Sequence, residues 1–167
     1  MILQTFFLDD GTFVGKADDV LRVLEIIQNV GSKMGLFLNL SKCELFWPSG
    51  ISQSVLYKFP GEIEVCKEEG TELLGAPISL SENFVQNFMV EKVNKVKKLH
   101  GKLTQLRDSQ MSYLLLKLCL NVSKLGYLLR VVNPNFKISH ILEDFDVSLH
   151  KTIEDILATP IGIFPWR

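Results

Sequence analysis

The feature that most limits how this chain can fold is the apolar periodicity of its second half. From Glu82 to Leu106, the residues Val85, Met89, Val93, Val96, Leu99, Leu103 and Leu106 step by three or four, as one face of an amphipathic helix requires. After Asp108-Ser109, which offers an N-cap, a second helix is expected to run to about Val132. Its main apolar face is Met111, Leu115, Leu118, Val122, Leu125 and Leu129. Tyr113, Leu116, Cys119, Leu120 and Tyr127 make that helix apolar on other sides too, which belongs in the middle of a bundle. Asn133-Pro134 stops it. A third helix, about His140 to Ala158, repeats the spacing through Leu142, Phe145, Leu149, Ile153 and Ile156 and ends before Pro160. His100 has no partner at metal-ligand spacing and is expected at a surface or boundary position, and His140 and His150 could be ligands only if acids from elsewhere joined them.

The first half reads differently. Leu3 to Leu8 is an apolar run that climbs into Asp9-Asp10, and Asp10-Gly11 is the strongest short-range hairpin signal in the chain. A β-hairpin with an acid pair at its tip is expected. Two readings of that pair stand side by side: hard oxygen ligands for a divalent cation, or turn chemistry alone. A helix should follow from about Asp18 to Met34, with Asp18 and Asp19 at the positive end of its dipole and Gly35 at the C′ position. Its face of Val20, Leu24, Ile27 and Met34 should pack on the hairpin.

Beyond Gly35, the alternations of Leu36 to Asn39 and of Cys43 to Trp47 suggest two short strands. Val55 to Phe59 and Ile63 to Cys66 are weaker strand candidates. Glu72 to Ile78, with Gly75 inside it and Pro77 near its end, reads as an edge strand or a close backbone approach. The fold class expected is α+β, with a strand-bearing domain over residues 1–80 and a helical domain over 81–167.

A chain of 167 residues, 47% hydrophobic and 22% charged, can bury a sizeable core. Cys43, Cys66 and Cys119 are odd in number and far apart, which suggests neither a disulfide framework nor a zinc site and points to a reducing interior, cytoplasm or nucleus. No stretch is apolar enough to be expected to span a membrane. The net charge of -1 is unevenly spread: between Phe84 and Val132 nine basic residues face two acids, so the rest of the chain carries an excess of eight negative charges. Lys92, Lys95, Lys98 and Lys102 form a stripe in the basic part. Phosphate contact and a plain solvated helix face both account for that stripe.

Three segments carry a family resemblance. Phe7-Leu8-Asp9-Asp10 resembles the aromatic-x-Asp-Asp hairpin of reverse transcriptases, with Phe7 in place of the retroviral tyrosine. After a helix, Gly35-Leu36 through Asn39 to Lys42-Cys43-Glu44-Leu45 is similar to the next palm motif of that family. Leu73-Leu74-Gly75-Ala76-Pro77-Ile78 then resembles the strand that begins its primer grip. Order and intervals agree, and Tyr127-Leu128-Leu129-Arg130 with Asn133-Pro134 behind it resembles the connector of retrotransposon-type enzymes.

The resemblance implies an RNA-directed DNA polymerase: a partial palm followed by a thumb-like helical bundle, two magnesium ions, an RNA template, a DNA primer and deoxynucleotides. It would make Asp9 a direct metal ligand and Asp10 the supporting one. Lys42 would stand near the incoming nucleotide, where it could protonate the leaving group, although an exposed strand-end cation describes it as well. Leu74 and Gly75 would belong to the primer grip, and Lys92, Lys95, Lys98 and Lys102 would neutralise template-primer phosphates. Polymerases of this kind take a further aspartate from a strand before the hairpin, and only Met1 to Leu8 precede Asp9. The chain is therefore expected to be the C-terminal piece of such a domain, inactive alone. Two other readings remain: a non-catalytic retrotransposon relic that binds nucleic acid or a partner through its basic helices, and a structural helical module. Ile161 to Arg167, ending in Phe164-Pro165-Trp166, reads as a cut end.

Overall fold

The computed structural model describes residues 2–8, 10–48, 50, 52–66, 69–106 and 108–160. Asp9, Arg107 and the segment 161–167 lie outside the described residues. The chain is α+β, and it divides into two compact units, residues 1–68 and 69–167.

In the first unit, strands β1 (Leu3–Phe7) and β2 (Asp10–Val14) form an antiparallel hairpin. Its register pairs Phe7 with Asp10 and Phe6 with Gly11. The expected turn at Asp10-Gly11 is thereby displaced, because both residues belong to the ladder. Gly11 answers a demand for space instead: a Cβ there would stand 2.9 Å from the ring of its cross-strand neighbour Phe6. That ring packs edge-on against Phe13 at 5.5 Å.

Helix α1 (Ala17–Lys33) has Asp18 and Asp19 in its first turn and ends in a Schellman motif. Leu36 N–H donates to the Gly31 carbonyl at 2.9 Å and Gly35 N–H to that of Ser32 at 3.2 Å, with Gly35 at φ 77°. No residue of α1 is buried. Val20, Leu24 and Ile27 are half-buried and Met34 is exposed, so the helix is not sealed against the hairpin as expected.

The segment 36–39 is not a strand. The Leu36 amide is already spent on closing α1, and Leu36 and Phe37 are exposed. A 3₁₀ turn at Leu40–Lys42 leads into β3 (Glu44–Leu45), which is shorter than the expected strand. Val55 to Phe59 is not extended either, since Gln53–Leu56 forms a single helical turn, α2, whose amides at Val55 and Leu56 both reach the Ser52 carbonyl at 3.0 Å. Strand β4 (Glu64–Val65) falls within the expected Ile63 to Cys66 and pairs in parallel with β3.

The second unit opens with β5 (Thr71–Leu73) and β6 (Ala76–Ile78), an antiparallel hairpin where one edge strand was expected. Leu74 and Gly75 form its tip, both left-handed at φ 50° and 81°. This hairpin, expected in the first domain, lies in the same compact unit as the helices that follow it in the chain. Helix α3 (Glu82–Leu103) begins at an N-cap in which Ser81 Oγ accepts from Phe84 N–H. The Glu82 carboxylate accepts from the Lys137 amide at 3.0 Å, which ties the start of α3 to the loop before the last helix.

The long helix expected over 108–132 is two helices: α4 (Ser109–Cys119), capped by Asp108 at 2.9 Å, and α5 (Ser123–Val131). Asn121 makes the break. Its side-chain amide donates to the Lys117 carbonyl while its Oδ1 accepts from Ser123 N–H at 2.8 Å, so the side chain replaces the helical hydrogen bonds on both sides. Helix α6 (Ser139–Leu157) packs across α3 and α4. Lys97 binds the Asp144 carboxylate through both oxygens at 2.8 and 2.7 Å, bridging α3 to α6.

The core gathers Val85, Met89 and Val93 of α3, Leu116 of α4, Leu125 of α5 and Phe145 of α6. Each buried side chain of this size stabilises the fold by roughly 1.5–3 kcal/mol. Among the described residues, three polar side chains are buried with them: His100, Ser112 and Thr152. His100 is therefore a core residue, contrary to expectation, because both ring nitrogens have partners there.

Candidate functional site

The acidic tip is a product of local structure. With Phe7 opposite Asp10 in the last pair of the ladder, Asp10 is the first residue of β2, and it is exposed. Leu8 beside it holds φ 56° and is 87% exposed. A left-handed leucine is costly, of order 1–2 kcal/mol, at a position where two-residue hairpin loops usually place glycine or asparagine. Asp10 offers a hard, solvent-facing carboxylate of the kind magnesium takes. Among the described residues no group of three or more His, Cys, Asp or Glu could hold a metal ion, and Asp10 belongs to no such group.

Lys42 closes the 3₁₀ turn and is exposed, and among the described residues no ion pair joins it to Asp10. Asp18, which the helix dipole accounts for, also binds Lys58 at 2.6 Å. Cys43 is partly covered, and that burial raises its thiol pKa above the ordinary range. Cys43, Cys66 and Cys119 form no disulfide, and the Cys66 thiol donates to the Glu44 carboxylate at 3.4 Å.

In the second unit, Leu74 and Gly75 share the β5-β6 tip, and the Leu74 carbonyl accepts from the Tyr127 hydroxyl at 3.0 Å. A tip held in this way has a fixed direction. Nothing in the sequence pattern signalled that bond, since neither the apolar helix face nor the connector resemblance gives the Tyr127 hydroxyl a partner.

The lysine stripe of α3 is uneven. Lys92 binds Glu72 at 2.9 Å and lies 4.5 Å from the centre of the Phe88 ring, while Lys95 binds Glu91 at 2.6 Å. That pairing lowers the Glu91 pKa and raises that of Lys95, through the hydrogen bond first and the charge second. Lys98 and Lys102 are exposed and make no ion pair among the described residues. Lys92 and Lys95 also join Lys124 around a depression of about 250 Å³ between α3 and α5, floored by Val96, Leu99, Leu125 and Leu128.

His100 plays no part in a surface site. Its Nε2 lies 2.8 Å from the Leu120 carbonyl, Nδ1 lies 3.0 Å from Ser148 Oγ, and its ring leans on Phe145. No described helix is long and apolar enough to cross a membrane. Comparison with protein-family models, with curated proteins and with solved structures found no match to this chain.

Proposed function

We propose that this chain is part of an RNA-directed DNA polymerase of retrotransposon type and contributes the acidic hairpin of a two-metal nucleotidyl-transfer centre that it does not complete alone. The observation that carries the proposal is the tip of the first hairpin. A bulky residue, Leu8, is held left-handed in solvent immediately before the acid pair, and Asp10 emerges at the first ladder position beyond it. Backbone held in a costly conformation beside candidate ligands is what a positioned site requires.

Asp9 and Asp10 would hold magnesium there, and the ions would supply activation of a primer hydroxyl and stabilisation of the leaving pyrophosphate. The chain's own contribution would be the Asp10 carboxylate at the first ladder position of β2 and that of its sequence neighbour Asp9, with Lys42 as a candidate proton donor. Leu74 and Gly75 would guide the primer from a second, pinned hairpin, and α3 to α6 would form the thumb.

The test is primer extension on an RNA template with a DNA primer, deoxynucleotides and magnesium. It compares this chain with a version extended upstream by its own coding sequence. Extension is expected only in the longer version and should fall roughly 100-fold or more in Asp9→Asn. Activity that survives Asp9→Asn overturns the assignment.

A second reading is favoured by Lys98 and Lys102, whose charges no carboxylate offsets among the described residues. On this reading the helical unit binds nucleic acid through phosphate contacts without catalysis. Salt-dependent binding by residues 69–160 with no extension activity in any version would select it.

A further inference from the structure

The depression between α3 and α5 has a rim and a floor of opposite chemistry. Lys92, Lys95, Val96 and Leu99 fall on one face of α3, and Lys124, Leu125 and Leu128 close the hollow from α5, around about 250 Å³. The floor is aliphatic: Val96, Leu125 and Leu128 are buried, and Leu99 is 40% exposed. The rim is cationic, and no carboxylate among the described residues lines it.

The charge at this rim is fixed by contacts. Lys92 is held by Glu72 at 2.9 Å and by the Phe88 ring, whose centre is 4.5 Å from its ammonium, and Lys95 is held by Glu91 at 2.6 Å. Lys124 is exposed and makes no ion pair among the described residues. Three ammonium groups thus meet two carboxylates, which leaves one positive charge beside an apolar floor. The complement is one negative charge on an apolar body. A nucleic-acid strand is a poor match, because it brings a phosphate at every nucleotide and bases that need a plane to stack on, and no aromatic ring lines the hollow. Size narrows the ligand further. A water molecule takes about 30 Å³ and a methylene is of similar size, so a hollow of 250 Å³ holds a chain of about eight carbons.

We propose that the α3–α5 depression binds a free medium-chain carboxylate, a linear monoanion of about eight carbons. Its chain lies on Val96, Leu99, Leu125 and Leu128, and its headgroup meets Lys124 between the walls formed by Lys92 and Lys95. This site goes beyond the polymerase reading and does not rest on it, because it uses neither the acidic hairpin nor Lys98 and Lys102.

The test is an NMR titration of the full chain with sodium octanoate, followed at the methyl groups of Leu99, Leu125 and Leu128. Saturable shifts at all three are expected. From butanoate through hexanoate to octanoate the affinity should rise about threefold for each added methylene, since each one leaves water for apolar surface, and it should level off at decanoate. Octylammonium should bind about tenfold more weakly than octanoate, and Lys124→Glu should weaken octanoate binding about tenfold. Leu99→Trp, which fills the hollow, should abolish it. Unfolding midpoints equal to the parent's show that each variant is folded, and Lys124→Glu decides alone if Leu99→Trp is not. Parallel arms follow the same methyl groups with single-stranded RNA and with anionic phospholipid vesicles. The proposal is overturned if octanoate gives no saturable shift at these methyl groups, if octylammonium binds equally, or if Lys124→Glu leaves binding unchanged. An affinity that ignores chain length, or that keeps rising beyond octanoate, overturns it too. RNA or vesicles that shift these methyl groups where octanoate does not overturn it and give the depression to that partner instead.

Discussion

His100 Nε2 sits 2.8 Å from the carbonyl oxygen of Leu120, and this bond joins the last turn of α3 to the end of α4. A carbonyl can only accept, so Nε2 carries a proton, and Nδ1 lies 3.0 Å from Ser148 Oγ of α6. One imidazole therefore links three helices and satisfies a carbonyl that the helix break at Asn121 releases. His100→Ala should remove both bonds, strand a buried carbonyl and open a cavity beside Phe145, at a cost of about 3 kcal/mol. The check is the midpoint of denaturant unfolding. A loss below about 1 kcal/mol would mean that the clasp contributes little.

Gly11 is expected to tolerate alanine only when Phe6 is absent. Its conformation is ordinary strand, and what excludes a side chain is the Phe6 ring, 2.9 Å from where a Cβ would stand. Gly11→Ala should weaken the first hairpin by about 0.5–1 kcal/mol in the parent chain and by little in the Phe6→Ala background. Hydrogen exchange of the β1 and β2 amides measures both. Equal losses in the two backgrounds would show that the glycine serves the backbone rather than the ring.

These two residues also mark where the sequence could be read and where it could not. Helix existence was legible throughout the second half, because apolar periodicity is a local property, and Gly35 announced the end of α1 because only a few residues favour a left-handed C′ position. The rotation and continuity of the second long helix were not legible. Ser112, His100 and Asn121 decide them through partners that helical periodicity does not encode.

The same limit applies to the candidate site. Asp10 could be singled out as a residue, but its place in the ladder depends on a cross-strand fit between Phe6 and Gly11 that overrides the Asp-Gly turn preference. Leu36 to Asn39 alternates like a strand but has no partner strand among the described residues to complete it.

The Glu91 and Lys95 pair should give α3 a contribution with two pH limits. The Glu91 pKa is lowered in the fold, so its part is present above the ordinary carboxylate range and is lost as pH falls through the lowered value. The Lys95 pKa is raised, so its part is present below the ordinary lysine range and is lost as pH rises through the raised value. Both groups face water, and salt should weaken the pair. An NMR titration of the Glu91 carboxyl is expected to move upward in Lys95→Met. An unchanged titration would show that the pair does not persist in solution.

The lysine stripe can be divided by experiment, because its members are not in the same electrostatic state. Lys92 and Lys95 already hold the carboxylates of Glu72 and Glu91, so a phosphate must displace or share those partners before it gains the full charge. Lys98 and Lys102 have no such competitor among the described residues. If the helical unit binds a nucleic-acid duplex, Lys98→Ala and Lys102→Ala should each reduce the magnitude of the slope of log affinity against log salt by about 1, uniformly across sequences. Lys95→Ala should have less effect on that slope, and Glu91→Gln, which releases Lys95, should strengthen binding. Anisotropy measurements over a salt series decide the matter. Equal slopes for all four variants would mean that this face does not contact phosphate, and a larger effect for Lys95→Ala than for Lys98→Ala would mean that its pairing with Glu91 opens at no cost when nucleic acid arrives.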